Sequence, residues 1–431
     1  MHVRPSRDDV VRTNSHPFSE VLLIMPRSGD HFEHFRPHTR HKHLILKEYF
    51  SAWGHKLGLR NGAGDVILYV DACAGRGADD LGNQGSPLIA AVAAGAAAAN
   101  ISQRRQRPFG IHVLAIESNR SHASQLADVL APFGSTVRVL PGTLEEHLGS
   151  ILSEYADTPA LFFIDPFGLE PLKAELIRAA LDGDRREALL LFADQAALRH
   201  FGAIIAEDTR AERRYRSATT ALPLFPDLTP INAGALAQAA SQSRAQLEIT
   251  RENALRIMNA AFGNEHWLPK LEAVPSADRR VAFLRLYTER LIEWGARYVL
   301  PIPVVDATGT HAYTLIHAAK SAKGYAAMKE AVAYALRHSP LPEAVVHRMR
   351  FAVASDLDSV EASVRDRFAG QTVRWAEDAS NRTAACVRNF LLEETPAFPF
   401  EFDELKARLN DHRNRGRVIT FSLPERSPHV D

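Results

Sequence analysis

The stretch DVILYVDACAGRG, Asp65 to Gly77, decides the fold that this sequence predicts. Its apolar half has the composition of a buried strand, and it runs into a turn of small residues that carries an acid and two glycines. We interpret this turn as nucleotide-binding, with the Asp71 carboxylate either holding a cationic amine or organising the loop. The small residues that leave room for a ligand beside the main chain are Ala72, Cys73, Ala74, Gly75 and Gly77.

A second predicted strand, Gly110 to Ser118, carries Glu117 near its carboxyl end. A doubly wound sheet places at this position the acid that binds both ribose hydroxyls of a nucleotide-type cofactor. The alternative is an ordinary surface acid at the end of a strand. The order of turn, strand and acid favours the ribose-binding role.

The third predicted strand, Ser135 to Gly142, follows a helical stretch over 122–130 and leads into Thr143. The loop after this strand is expected to border an adenine ring, which makes Thr143 a candidate cofactor contact. Glu145 and Glu146 are neighbouring candidates. Acids in the first turn of a helix also interact favourably with the helix dipole, so that role stays open for both.

The stretch LFFIDPFG, Leu161 to Gly168, predicts a fourth strand that ends in a candidate catalytic loop. An aspartate at a strand's carboxyl end, here Asp165, can accept a hydrogen bond from a substrate NH2 group, and Pro166 stiffens the turn. Phe167 can then stack on a flat substrate. In the alternative interpretation, Asp165 caps a helix that begins near Glu170.

The order of these segments predicts an α/β fold with a Rossmann-like sheet. Strands alternate with helices, which favours parallel pairing through right-handed crossovers. A fifth strand is expected over Glu187 to Asp194. Two later apolar runs, Arg297 to Val305 and His311 to Ala319, flank a glycine-bearing turn and predict an antiparallel hairpin.

Taken together, these segments resemble the three-Cys-motif partner family, bacterial proteins with a class I S-adenosylmethionine methyltransferase-like fold. The resemblance implies S-adenosyl-L-methionine as the cofactor, a sheet closed by such a hairpin, and an amino-directed active-site edge at Asp165. It also implies an iron-sulfur partner protein that carries the three cysteines. Methyltransferases often have an acid at the position of Thr143. The resemblance rests on His41 to Trp53, Tyr69 to Gly77, Gly85 to Ala90, Ala115 to Ser118, Phe163 to Gly168 and Ala319 to Lys329.

The pair Lys42 and His43 precedes an apolar helical stretch and resembles a signature of ribosomal RNA adenine-N6 methyltransferases. Those enzymes carry DPPY where this chain has DPFG, and their basic pair lies near the methionine end of the cofactor. The resemblance makes Lys42 and His43 candidate cofactor contacts. Alternatively, the pair forms a solvated turn of an amphipathic helix. Six histidines lie from residue 31 to residue 55, but they lack acidic or cysteine companions at metal-ligand spacing.

The chain divides into four predicted regions. An arm over 1–30 precedes a methyltransferase-like Rossmann domain formed by 31–194 and 292–337, which a helical insertion over 195–291 interrupts. The insertion contains a basic segment at 210–216 and is expected over the cofactor cleft. Residues 338–431 predict a winged-helix-like module for nucleic-acid or protein contacts. Its candidate phosphate contacts are Lys406, Arg408, Arg413, Arg415 and Arg417.

Composition narrows the class of protein. The chain has 431 residues, of which 46% are apolar, enough for two or three cores and too many for a disordered scaffold. Lysines and arginines number 51, as do aspartates and glutamates, so any nucleic-acid binding requires a local patch. Two distant cysteines fit a reducing compartment, and the longest early apolar run is too short for a membrane span. We therefore expect a cytoplasmic protein.

The sequence predicts an S-adenosylmethionine-dependent methyltransferase that acts on an amine of a nucleobase or a similar flat substrate. Catalysis would rest on positioning by Asp165, Pro166 and Phe167. A second hypothesis is a non-catalytic partner or recognition subunit of an iron-sulfur protein. A third is a small-molecule methyltransferase whose inserted helices form a lid.

Overall fold

The computed structural model describes residues 37–60, 64–78, 82–205, 250–375, 386–409 and 418–420. The predicted arm over 1–30 and the basic segment at 210–216 lie outside these residues. So do Arg413, Arg415 and Arg417 of the C-terminal module.

A seven-stranded sheet forms the centre of the described structure. Its strands are β1 Val66–Asp71, β2 Gly110–Glu117, β3 Val137–Pro141, β4 Ala160–Ile164, β5 Arg186–Phe192, β6 Tyr298–Val305 and β7 His311–Ala319. They lie in the order β3, β2, β1, β4, β5, β7, β6. β1 to β5 pair in parallel, whereas β7 is antiparallel to both β5 and β6. This order and these directions give a Rossmann-like class I methyltransferase fold, as predicted.

The central strands are apolar on both faces because both faces of the sheet are covered. In β1, Leu68 and Val70 pack into one core, and Ile67 and Tyr69 pack into the other. This alternation follows from the two-residue period of a strand. A continuous apolar run is therefore the correct pattern for a central parallel strand.

Helices cover the two faces. They are α1 Pro37–Gly58, α2 Ser86–Arg105, α3 Arg120–Leu130, α4 Leu144–Glu154, α5 Ala174–Leu181, α6 Asp194–Ile205, α7 Trp267–Glu272, α8 Arg279–Glu293, α9 Ala322–Arg337 and α10 Glu343–Val353. α1, α2, α9 and α10 share one core with the sheet, and α4 to α8 share the other. Among the described residues, no helix is both long and apolar enough to cross a membrane.

The strand order changes direction at β1. The chain moves outward from β1 to β3 and then returns to place β4 on the other side of β1. In such sheets, ligands bind in the crevice outside the carboxyl ends of the strands at this switch point. The register aligns Asp71 with Ala115 on β2 and with Phe163 on β4, so the turns after these three strands meet.

The described part of the predicted insertion is helical and packs against the sheet. Residues 250–262 are helical, and α7 and α8 follow. Phe262, Trp267, Phe283 and Tyr287 join the core that contains Phe192 of β5. These helices are therefore a packed layer of the Rossmann domain.

The predicted domain end at residue 337 is too early. Helix α10 follows that point, yet it packs against β6, and its Val345, Val346 and Met349 are buried in the same core as the sheet. The prediction placed this helix in the C-terminal module because its apolar pattern does not show which surface covers it.

The C-terminal module has its own core. Its elements are α11 Leu357–Arg367, β8 Thr372–Arg374, α12 Val387–Glu394, α13 Phe402–Leu409 and β9 Val418–Thr420. β8 and β9 pair antiparallel, and Val364, Phe368, Leu391 and Leu405 lie at the centre of the core. The winged-helix assignment of this module stays a prediction.

A buried lysine joins the module to the Rossmann domain. Lys329 of α9 is fully buried, and its Nζ donates to the carbonyl oxygens of Leu391, Thr395 and Ala397 at 2.8, 2.9 and 2.9 Å. These acceptors lie at the end of α12 and just beyond it, where backbone carbonyls lack intrahelical donors. Burial lowers the pKa of Lys329 to about 7.

Candidate functional site

Asp71 organises the turn after β1. Its side chain is fully buried, and it accepts hydrogen bonds from Tyr69 Oη and from the Cys73 backbone N–H, both at 3.4 Å. Burial raises the pKa of Asp71 to about 7. Asp71 lies outside the lining of both cavities that the described residues form at this edge. Of the two predicted roles, organising the loop is the one that the geometry supports.

The two glycines predicted in this turn, Gly75 and Gly77, have different surroundings, so a side chain is excluded at each for a different reason. Gly75 has φ +66°, and a Cβ built on it would meet no atom within 4 Å. Gly77 has φ +82°, but its Cβ would lie 2.7 Å from Leu126 of α3. Gly75 therefore leaves open space for a ligand, whereas Gly77 allows the turn to pack against a helix.

Glu117 lies where the end of β2 meets the turn after β1. Its Oε2 accepts a hydrogen bond from the Gly75 backbone N–H at 2.8 Å, and its Oε1 accepts one from the Asn119 backbone N–H at 2.7 Å. Each carboxylate oxygen keeps a further lone pair. The side chain is only 11% exposed, so the interpretation as an ordinary surface acid does not hold.

Glu117 lines a cavity of about 760 Å³, which we call the Glu117 cavity. Ala72 and Gly75 contribute to it from the turn after β1. The end of β4, the loops after β2, β3 and β4, the first turns of α3, α4 and α5, and the helix over 250–262 complete it. Their lining residues are Ser118, Asn119, His122, Gly142, Thr143, Leu144, Glu145, Ile164, Phe167, Glu170, Pro171, Lys173, Leu176 and Arg256. Its size is within the usual range for small-molecule sites.

Thr143 lines this cavity but also caps α4. Its Oγ1 accepts a hydrogen bond from the Glu146 backbone N–H at 3.3 Å, and its own backbone N–H donates to Glu146 Oε2 at 2.6 Å. This reciprocal capping box assigns Glu146 to the helix start. Glu145 faces the cavity and pairs with Lys173.

The Asp165 loop forms a second site beside the first. Asp165 pairs with Lys42 Nζ of α1, and this ion pair joins residues from distant parts of the chain. Pro166 is buried, and Phe167 is fully exposed. Gly168 has φ +111°, and its backbone N–H donates to the Pro166 carbonyl oxygen at 3.1 Å.

The helix-capping interpretation of Asp165 is wrong. The next helix along the described chain is α5, which begins at Ala174, and Lys173 occupies its N-cap position. Asp165 instead lines a cavity of about 920 Å³, which we call the Asp165 cavity. Its lining includes His38, Lys42, His43, Arg76, Asp165, Pro166, Phe167, Gln195, Arg199 and Tyr313.

The two cavities adjoin. Cys73, Gly75, Arg76 and Phe167 line both of them. A ligand in the Glu117 cavity can therefore approach a ligand in the Asp165 cavity across the turn after β1.

Lys42 is buried in the structure, and His43 is partly buried. Lys42 is 7% exposed, so the interpretation as a solvated helix turn is wrong. Burial, together with the charge of Lys42, lowers the pKa of His43 to about 3. Burial likewise lowers the pKa of His41 to about 4. In the described parts of the chain, no cluster of three or more His, Cys, Asp or Glu side chains is suited to a metal ion.

Several cavity residues come from distant elements, and the motifs of the sequence do not predict them. Arg199 lies on α6, directly after β5, and Tyr313 lies at the start of β7. Tyr313 Oη donates to the His38 carbonyl oxygen at 3.3 Å. The predicted hairpin contained a signal for Tyr313: because β7 is antiparallel to β5, it starts at the carboxyl edge of the parallel strands.

No protein-family model matches the chain, and no curated protein sequence matches it significantly. A solved structure from Klebsiella pneumoniae that is described as an O-methyltransferase is 14% identical to this chain, with a TM-score of 0.28. The match covers 70% of this chain and 95% of that one.

Two further solved structures are methyltransferase complexes. The plantazolicin methyltransferase BamL, with a triazolic desmethylPZN analog and SAH, is 12% identical with a TM-score of 0.25 over 65% of this chain and 84% of that one. Geranyl diphosphate methyltransferase, with GPP and sinefungin, is 16% identical with a TM-score of 0.19 over 63% and 78%. The fold assignment rests on the strand order and directions of the sheet.

Proposed function

We propose that this protein transfers a methyl group from S-adenosyl-L-methionine to an amine of a flat substrate, with a nucleobase as the first candidate. The observation that carries the proposal is the pair of adjoining cavities at the switch point of the sheet. One contains Glu117, the other contains Asp165, and Gly75 and Phe167 line both.

The residues of the Glu117 cavity suit the cofactor. Both Glu117 oxygens keep lone pairs that can accept hydrogen bonds from ribose hydroxyls. Gly75 leaves open space where a side chain would obstruct a ligand. Ala72 and Thr143 would border the nucleoside, whereas Asp71 and Gly77 would act by shaping the turn. When bound, S-adenosylmethionine supplies an electrophilic methyl group.

The residues of the Asp165 cavity suit the amine. Lys42 binds Asp165 Oδ2, which fixes the carboxylate and leaves Oδ1 to accept an N–H of the substrate. The Pro166 carbonyl oxygen has a second lone pair beyond its bond to Gly168. Together, these acceptors can hold an amine with its nitrogen lone pair directed away from them, and Phe167 can stack on the ring.

The chemistry does not require a strong base or a nucleophile from the protein. His43, with a pKa of about 3, is a weak base at neutral pH. Burial raises the pKa of the Cys73 thiol to about 12, so it stays protonated. Positioning and hydrogen bonding are then the contributions of the chain, and the amine loses its proton after transfer.

Calorimetric titration with S-adenosylmethionine and S-adenosylhomocysteine tests the cofactor site. We expect saturable binding by the full chain, strong weakening in Glu117→Gln, and unchanged binding in Glu272→Gln, which alters an exposed acid on α7. Failure of the folded wild-type protein to bind either compound would contradict the proposal.

A second candidate is a non-catalytic partner subunit of an iron-sulfur protein. The observation that favours it is that Thr143, at a position where methyltransferases often have an acid, is engaged in the capping box of α4. Co-purification from the native host tests this candidate. A stable complex with an iron-sulfur protein, without methyl transfer by the isolated chain, would support it.

A further inference from the structure

Asp165 already binds an amine of its own chain. Lys42 Nζ of α1 donates to Asp165 Oδ2, and both residues line the Asp165 cavity. The Lys42 side chain is buried, so packing holds its amine in this position. The carboxylate that the proposed function assigns to a substrate amine therefore has a primary amine on one of its two oxygens.

This amine lies near the turn that borders the Glu117 cavity. Burial has the largest effect on the pKa of Asp71, the last residue of β1, but the charges of Asp165 and Lys42 also contribute to it. Cys73 lines both cavities, and its thiol lies within hydrogen-bonding reach of the Asp165 backbone N–H. A ligand in the Glu117 cavity that extends past Cys73 therefore approaches the pair of Lys42 and Asp165.

The surroundings of Lys42 Nζ also suit a methylated ammonium group. The nitrogen lies 6.0 Å from the centroid of the Tyr313 ring, and Phe167 lines the same cavity. Aromatic faces attract ammonium groups, and they are the usual surroundings of methylated lysine in its binding sites. Methylation preserves the charge of a lysine, so the product can keep its pairing with Asp165.

From this arrangement we propose that Lys42 is a site of self-methylation, at which Nζ accepts a methyl group from S-adenosylmethionine while no external substrate occupies the Asp165 cavity. This inference rests on the proposed function and adds a modification site to it.

The step balances with groups that the chain and the cofactor provide. One Nζ proton passes to Asp165 Oδ2, and the freed nitrogen lone pair forms the bond to the methyl carbon. The bond between carbon and sulfur breaks with its electron pair on sulfur, which leaves neutral S-adenosylhomocysteine. Asp165 then releases the proton to solvent, to which its side chain is 18% exposed.

Mass spectrometry with S-adenosylmethionine that carries a deuterated methyl group tests the modification. We expect the full-length protein to gain label on Lys42, at a rate independent of protein concentration, and none on Lys47 or Lys56, two exposed lysines of the same helix. Lys42→Arg should remove the label. Cofactor binding without label on Lys42, or equal labelling of the three lysines, would overturn the inference.

A binding measurement tests the position of Lys42 without methyl transfer. Sinefungin carries a cationic amine at the position of the methyl group, whereas S-adenosylhomocysteine is uncharged there. Because Lys42→Met removes a like charge beside that amine, it should raise the affinity for sinefungin relative to S-adenosylhomocysteine about fivefold or more. Lys47→Met is the matched control and should leave the ratio unchanged. An unchanged ratio in Lys42→Met would place Nζ away from the methyl group and overturn the inference.

The inference and the proposed function fail in different ways. Calorimetric binding of S-adenosylmethionine with an unlabelled Lys42 would overturn the inference and leave the proposed function standing. Failure of the folded protein to bind S-adenosylmethionine, S-adenosylhomocysteine and sinefungin would contradict both.

Discussion

The Glu117 cavity and the Asp165 cavity share a wall, but the chain builds them differently. The part of the first that surrounds Glu117 comes from two strand ends that are close in the chain, the turn after β1 and the end of β2, whose backbone N–H groups donate to Glu117. The second brings together α1, the loop after β4, α6 and the start of β7. The difference teaches that strand-end segments can form one cavity almost locally, whereas the neighbouring cavity collects residues from across the chain.

The largest expected effect tests whether the Glu117 cavity binds the cofactor and the Asp165 cavity binds the substrate, as proposed. Asp165→Asn should lower turnover about 100-fold or more because the substrate amine loses a charged acceptor, while cofactor affinity stays within a few-fold. Steady-state kinetics and calorimetry measure the two effects. Loss of cofactor binding together with turnover would mean that the two cavities are one site.

Lys42 needs its own control in that experiment. Asp165→Asn leaves a buried ammonium without its carboxylate, which is destabilising. The double variant Lys42→Met, Asp165→Asn removes both charges and should restore the melting temperature without restoring turnover. Recovery of turnover in the double variant would remove Asp165 from the proposed mechanism.

The second prediction concerns α1, which carries Lys42. The ordinary pKa of His41 is 6.5, and burial lowers it to about 4 in the folded state. Between these values the unfolded chain binds more protons, so the free energy of unfolding should fall by up to about 3 kcal/mol as pH falls from 6.5 to 4.

Chemical denaturation across this pH range provides the measurement. His41 is fully buried, and within the described structure neither ring nitrogen has a hydrogen-bond partner, so His41→Leu should make the pH profile less steep. The slope that remains is expected from His43, whose pKa burial also lowers. Parallel profiles for wild type and variant would contradict the assignment. The outcome shows whether α1, which places Lys42 in the Asp165 cavity, contributes less to the free energy of unfolding at acidic pH.

Third, Glu117→Gln should weaken S-adenosylmethionine binding by about 1–3 kcal/mol. The amide keeps the size of the side chain but loses the charge and one acceptor oxygen, which also disturbs the bonds from Gly75 and Asn119. Calorimetry gives the affinity. An unchanged dissociation constant would place the ribose elsewhere and end the distinction between the cavities.

The smallest expected effect distinguishes capping from binding. Thr143→Ala should lower the free energy of unfolding by about 1 kcal/mol because α4 loses its capping box. Thr143→Ser keeps the hydroxyl and should retain most of the stability. Thermal unfolding and calorimetry of both variants give the two readouts. A large loss of cofactor affinity in Thr143→Ala with unchanged stability would make Thr143 a binding residue.

The sequence predicts those parts of the site that lie within a few residues of a strand end. Glu117 and the parallel pairing of the first five strands follow from runs of apolar residues that end in acids and glycines. The partnership of Lys42 with Asp165 is not visible in this way, because it depends on how α1 crosses the sheet. Arg199 carries no local signal either, since its position follows from the start of α6 directly after β5.

Burial explains the remaining differences. The sequence left Asp71 two roles, but only the packed structure shows that its carboxylate is fully enclosed. The boundary at residue 337 failed for a similar reason, because an amphipathic helix such as α10 can cover either the sheet or a separate module. The periodicity of apolar residues indicates that one face of a helix is buried, but it does not indicate which part of the protein covers that face.

Lys329 fixes the orientation of the C-terminal module relative to the Rossmann domain. Three carbonyl oxygens from the last turn of α12 and the residues just beyond it converge on one ammonium of α9. Directional bonds of this kind restrain rotation as well as separation. The bonds to Lys329 therefore fix the orientation of the module relative to the sheet. Any ligand or protein that binds the outer surface of the module will be held at a defined angle to the sheet.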